Sequence, residues 1–135
     1  MSGRDLPERV GVLGFGEVGE TTARAFADRG ATVTVVNRSP DALRERLADD
    51  PLDVAEDPAG VARASDLVVS AVWPTSAREV AAAAAPGADG VVYVDLNTVS
   101  PPATRAMAAA IEDAGGSFHK GIIRGAVARR GTDVQ

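Results

Sequence analysis

The segment Gly14-Phe15-Gly16-Glu17-Val18-Gly19 spaces three glycines as G-x-G-x-x-G, directly after the apolar run Arg9 to Leu13 and ahead of a helical pattern from Glu17 to Arg29. Each glycine answers a separate need. Gly14 permits a tight turn off a strand, Gly16 lets the backbone approach a pyrophosphate, and Gly19 lets the next helix lie close on the sheet. That helix opens with N–H groups that have no intrahelical acceptor, and these suit phosphate oxygens. The spacing alone is a weak signal. A second apolar run at Thr32 to Val36, one helix later, gives it the right context, and the implied ligand is a nucleotide cofactor.

The end of that second run discriminates among nucleotides. Folds selecting NAD place Asp or Glu about 20 residues beyond the glycines, where the carboxylate bonds the ribose 2′-OH. Here the position holds Asn37-Arg38-Ser39. A carboxylate would repel a 2′-phosphate, whereas a neutral Asn and an Arg offer an amide and a guanidinium fork. Ser39 stands where the next helix begins, a second place for anionic oxygens. The reading is NADP(H) over NAD(H), against a plainer one in which Arg38 is solvated and Ser39 only caps. FAD and S-adenosylmethionine folds also usually carry an acid here, so both are disfavoured.

In an open parallel sheet, ligands lie outside the carboxyl ends of the strands. Besides the glycine loop, Val72-Trp73-Pro74 and Asp95-Leu96-Asn97-Thr98 reach that edge. Trp73, the only tryptophan, either covers the adenine or nicotinamide side or is an ordinary rim aromatic. Asn97 and Thr98 offer an amide and a hydroxyl to the nicotinamide ribose or a substrate, and Asp95 caps the turn. Hydride transfer to a carbonyl needs a proton donor within reach. His119 and Lys120, the only histidine and lysine, are candidates, but the favoured reading leaves them solvated at the end of an edge strand. Asp49, Asp50, Asp53, Glu56 and Asp57 lack metal-ligand spacing and read as a solvated turn. Glu17 is expected to point outward, away from phosphate.

The elements that must position these residues alternate strand and helix. The first helix places Gly19, Thr22, Ala23 and Phe26 on one face and ends at Gly30. Ala31 to Val36 is the second strand. Ser39-Pro40 starts a helix with Leu43 and Leu47 inward. Pro51 to Ala55 is a short third strand, and Asp57-Pro58 opens a helix ending near Ser65-Asp66. Leu67 to Val72 is a strand buried on both faces. Ser76 with Glu79 has capping-box spacing and predicts a helix from Ser76 to Ala85. Val91 to Asp95 is the fifth strand, and Ser100-Pro101 opens a helix with Met107, Ile111 and Ala114 on one side. Ser117 to Ile123 is a sixth strand, after which Arg124 to Gln135 has no periodicity. This alternation predicts an α/β, Rossmann-type, doubly wound and mostly parallel sheet over residues 9–123, with an N-terminal extension at 1–8 and an irregular tail at 124–135.

Length and charge set limits on function. The 135 residues suit one domain. A net charge of −5 argues against nucleic acid. Without cysteine there is no disulfide or thiolate chemistry, and a cytoplasmic setting fits. No signal peptide and no apolar run long enough to span a membrane is seen.

Gly14-Phe15-Gly16-Glu17-Val18-Gly19, Asn37-Arg38-Ser39, the loop after Ser70-Ala71-Val72, and above all Asp95-Leu96-Asn97-Thr98-Val99-Ser100-Pro101 resemble the β-hydroxyacid dehydrogenases. That family includes 3-hydroxyisobutyrate and 6-phosphogluconate dehydrogenases and the imine reductases. The last segment is close to its D-x-[SN]-[ST]-x-x-P pattern. The resemblance spans residues 9 to 123 and implies that Gly14, Phe15, Gly16, Glu17, Val18, Gly19, Val72, Trp73 and Thr98 contact the cofactor and that Asn97 faces the substrate. It further implies hydride transfer to or from a small hydroxy acid, aldehyde or imine. The sequence departs from the family at His119-Lys120, where an acid is expected. The family's helical domain, which carries its general acid/base lysine, is expected to be absent, so the chain reads as the cofactor half. A non-catalytic NADP(H)-binding or sensing module, and a relative of the deazaflavin-dependent reductases, are the alternatives. Apolar surface where a helical half would dock makes a homodimer an expectation.

Overall fold

A computed structural model of the chain describes residues 7–121. Its elements run β1 (Arg9–Leu13), α1 (Glu17–Asp28), β2 (Thr32–Val36), α2 (Pro40–Arg46), β3 (Asp53–Val54), α3 (Pro58–Arg63), β4 (Leu67–Ser70), α4 (Pro74–Ala84), β5 (Val92–Asp95), α5 (Pro101–Asp113) and β6 (Ser117–Lys120). The strands form one sheet in the order β3-β2-β1-β4-β5-β6, with every neighbouring pair parallel. This is the doubly wound α/β fold predicted from the sequence. The order reverses between β1 and β4, which places the crevice there.

Each face of the sheet carries its own core. Val10, Val12, Val33 and Val35 pack against Ala23 and Phe26 of α1 and Leu43 of α2, with Leu47 behind. The opposite face sets Leu13, Val36, Val68 and Tyr93 beneath α3, α4 and α5. Ala77, Ala81 and Ala84 are buried along α4, and their small side chains let that helix settle close on the strands. Met107 and Ile111 of α5 complete this core, each contributing about 1.5–3 kcal/mol by burial. Side chains alternate between faces, and the register sets Leu13 beside Ser70, Ser70 beside Asp95, and Asp95 beside Lys120. Those four residues therefore share the α4/α5 face at the carboxyl edge.

Several boundaries differ from expectation, each for a local reason. Helix α4 begins at Pro74 with Trp73 as N-cap, rather than at Ser76. Proline lacks an N–H and has a preset φ, so it suits the first helical position. The Ser76 N–H then donates to the Trp73 carbonyl (2.8 Å), and the Ser76 hydroxyl is freed from capping. Strand β4 ends at Ser70 because the Val72 N–H leaves the ladder and donates to Asn97 Oδ1 (2.8 Å). Strand β3 is only Asp53–Val54; Pro51 has no N–H to give a ladder. At α2, Ser39 is the N-cap as expected, but its side chain makes no capping bond. Its own N–H donates to Asn37 Oδ1 (2.8 Å) instead. Asp57 and Ser100 do cap, accepting from the N–H groups of Gly60 and Ala103. Ile122, Ile123 and the tail expected at 124–135 lie outside the described residues, as do the first six residues of the N-terminal extension.

Candidate functional site

The glycine loop separates fold from ligand. Gly14 has φ 95°, a left-handed conformation that favours glycine, and a Cβ there would collide with the Ala71 carbonyl. A Cβ on Gly19 would collide with the Gly14 carbonyl, so α1 rests directly on the turn. Gly16 differs. Its φ is −79°, and an added Cβ would meet no atom within 4 Å. No neighbour among the described residues requires glycine there, and the space beside its backbone is open. Gly16 is also the N-cap of α1 and supplies no side-chain cap, which leaves first-turn N–H groups at Glu17, Val18 and Gly19 for an outside acceptor. Glu17 is exposed, as expected for a carboxylate beside a phosphate site, and Val18 is half-buried. The Phe15 ring is buried in the α1/α2 core, with the Arg46 guanidinium 5.2 Å over it, so only its backbone faces the loop.

At the end of β2, Arg38 Nη2 donates to the Ser76 hydroxyl (2.7 Å), 38 residues away on α4. Strands β2 and β4 flank β1, so this bond reaches from one side of the glycine loop to the other. Arg38 and Ser39 are exposed and Asn37 is half-buried. With its oxygen engaged by Ser39, the Asn37 amide nitrogen is the part left to a ligand.

The other end of the edge is closed. Asn97 is 6% exposed; its amide nitrogen donates to Asp95 Oδ1 and to Ser70 Oγ, and its oxygen accepts from the Val72 N–H. The substrate-facing role expected of Asn97 thus meets an amide turned inward, where it holds the β4 and β5 loops together. Asp95 is fully buried, and the Lys120 ammonium donates to its Oδ2 (2.7 Å) and to the Asn97 carbonyl. The solvated lysine read from the sequence is therefore corrected: buried Asp95 needs a counter-charge, and the strand register delivers one. His119 stays exposed on the other face, its Nε2 3.2 Å from Ser117 Oγ. Below this network the Tyr93 hydroxyl is buried with no hydrogen-bond partner among the described residues. Burial pushes the phenol well above its ordinary value; the nearby Ser70 hydroxyl works against that shift and the Asp95 charge adds to it. Trp73, 72% exposed, and Thr98, exposed, stand at the open rim.

Three members of the acidic cluster have structural partners. Asp50 pairs with Arg24 and Glu56 with Arg44, while Asp57 caps α3. Arg24 holds both Glu20 and Asp50 below the usual carboxylate range.

The arrangement fits a dinucleotide: an open glycine loop at a helix N-terminus, a cationic fork beyond β2 and a two-sided crevice. Comparison with known proteins agrees. The family described as the NAD binding domain of 6-phosphogluconate dehydrogenase matches residues 9–131. An uncharacterized 28.5 kDa protein of Methanothermus fervidus is 34% identical over 93 residues, covering 69% of this chain and 37% of its own length. A conserved hypothetical protein from Sinorhizobium meliloti 1021 superposes with a TM-score of 0.81 at 29% identity, over 96% of this chain and 46% of that one. An imine reductase from Myxococcus stipitatus in complex with NADP+ superposes with a TM-score of 0.73 at 25% identity, over 85% and 40%. The chain thus spans less than half the length of each of these relatives. No helix among the described residues is long and apolar enough to cross a membrane. The chain belongs to the 6-phosphogluconate dehydrogenase NAD-binding-domain family, a nicotinamide-dinucleotide-binding domain of dehydrogenases and reductases.

Proposed function

We propose that this domain binds NADP(H) in preference to NAD(H) and serves as the cofactor half of an oxidoreductase that moves hydride to or from a small hydroxy acid, aldehyde or imine. One observation carries the cofactor preference. Where a 2′-OH would be met by a carboxylate, the end of β2 presents Asn37 and an Arg38 whose bond among the described residues goes to a hydroxyl. That guanidinium keeps N–H donors to offer a phosphate. In this reading the Gly14 to Gly19 loop holds the pyrophosphate, and Arg38 with the Asn37 amide and Ser39 hydroxyl holds the 2′-phosphate. Val72, Trp73 and Thr98 border the nicotinamide, which supplies or accepts the hydride when bound. That a similar imine reductase is in complex with NADP+ supports the choice of cofactor.

Titration of NADPH and NADH against the protein tests this. Arg38→Ala should weaken NADPH by about 1.5–3 kcal/mol, roughly 10- to 150-fold, and leave NADH nearly unchanged. Tighter NADH binding by the unaltered protein, or an equal loss for both cofactors, would overturn the preference. A second reading, binding without turnover, is favoured by the closure of the Asp95–Asn97–Lys120 network, which ties up the acid/base groups at that end of the edge. NADPH-dependent reduction of aldehydes or cyclic imines by the chain would rule it out.

A further inference from the structure

Ser76 has the spacing of a capping residue and does not cap; its hydroxyl instead accepts from Arg38 Nη2 (2.7 Å). It is mostly buried in the first turn of α4, so its position is set by a packed helix. Arg38 is exposed on a loop and would otherwise sample many rotamers, with an entropic cost when it is fixed. We propose that Ser76 is a positioning residue for cofactor selectivity: it anchors one edge of the Arg38 guanidinium so that the remaining N–H donors are held ready for the 2′-phosphate. This rests on the NADP(H) reading above and adds to it a specificity determinant on a different element, across the glycine loop from the end of β2.

The geometry makes this economical. A guanidinium has five N–H donors in a rigid fork, so one bond to Ser76 orients the whole plane and leaves four. The acceptor is a neutral hydroxyl, which leaves the positive charge intact for an incoming dianion; a carboxylate at the same place would compete with it. Pre-ordering a binding side chain raises affinity by lowering the ordering cost at the moment of binding. The benefit falls on ligands that carry the 2′-phosphate.

The test uses the full chain, with NADPH, NADH and adenosine 2′,5′-bisphosphate as probes, read by fluorescence or calorimetry. Ser76→Ala replaces a helix residue by a better helix former and should retain the melting temperature. It should weaken NADPH and the bisphosphate by about 3- to 10-fold, the worth of one net hydrogen bond, and leave NADH unchanged. Ser76→Thr, which retains the hydroxyl, should keep the selectivity. In an Arg38→Ala background, Ser76→Ala should have no further effect. If Arg38→Ala itself leaves the NADPH-to-NADH ratio unchanged, the NADP(H) reading fails and takes this inference with it. If Arg38→Ala lowers the ratio while Ser76→Ala does not, only the role of Ser76 is overturned. An equal loss for NADH, an undiminished effect of Ser76→Ala without Arg38, or tighter NADPH binding after Ser76→Ala would each overturn it too, the last by showing a latch that the cofactor must break.

Discussion

The two halves of the carboxyl edge follow opposite rules. Beside β1 and β2, polar groups are left facing outward: the first-turn N–H groups of α1, the open flank of Gly16, and the guanidinium of Arg38 on its hydroxyl anchor. Beside β4, β5 and β6, polar groups are turned on one another, and Ser70, Asp95, Asn97 and Lys120 form a closed network. In the proposed function, the first half receives a ligand with distributed negative charge. The second turns its polar groups to holding three strand ends together, so Thr98 and Trp73 are exposed there while Asn97 is buried.

The sharpest way to break this comparison is to open the closed half. Lys120→Met removes the counter-charge of a fully buried carboxylate. Leaving such a group unpaired costs about 3 kcal/mol, the lower end of the usual range, since a third of the Lys120 side chain remains in water. Chemical denaturation should show that loss. Adding Asp95→Asn, which removes the stranded charge, should restore part of it. An unchanged midpoint in the single variant would mean that the network does not hold the strand ends.

The open half is sharpened by two alanines. Gly14→Ala forces a side chain into φ 95°, which costs roughly 1–2 kcal/mol, and drives a Cβ into the Ala71 carbonyl. It should lower both stability and cofactor affinity. Gly16→Ala meets no atom of the described residues and has an ordinary φ, so its melting temperature should hold while NADPH binding falls. Loss of stability in Gly16→Ala, or retained affinity, would show that Gly16 serves the fold.

The same division explains what the sequence reveals. The open half rests on backbone and on residues close in the chain: Gly14 to Gly19 and Asn37 to Ser39 are contiguous motifs whose geometry follows from glycine sterics and helix ends. The two cores follow from apolar alternation, because Val10, Val12, Val33 and Val35 are buried together. The closed half joins residues distant in the chain, 25 apart in Asn97 to Val72 and Lys120 to Asp95 and 27 apart in Asn97 to Ser70. That pairing depends on the register of β4, β5 and β6, which local pattern does not specify. Ser76 departs from its expected place because two local rules compete: its capping-box spacing with Glu79 loses to Pro74 at the first helical position. The bond to Arg38 followed from that outcome.

The smallest effect lies under the closed half. Tyr93 Oη is buried without a partner among the described residues, so Tyr93→Phe removes an unmet polar group while keeping the ring stacked 5.9 Å from Phe118. It should be neutral or stabilising by up to about 1 kcal/mol near neutral pH. A second readout comes from alkali. The folded phenol titrates well above its ordinary value because burial disfavours the phenolate. Above about pH 10 the unfolded chain therefore loses this proton while the folded chain keeps it. The unfolded state then binds fewer protons, and stability falls as pH rises through that window. Tyr93→Phe should remove this slope without lowering the neutral-pH midpoint. A marked loss of stability at neutral pH would instead mean that the hydroxyl is bonded to Ser70 in solution, which would bring Tyr93 into the closed network as a working member.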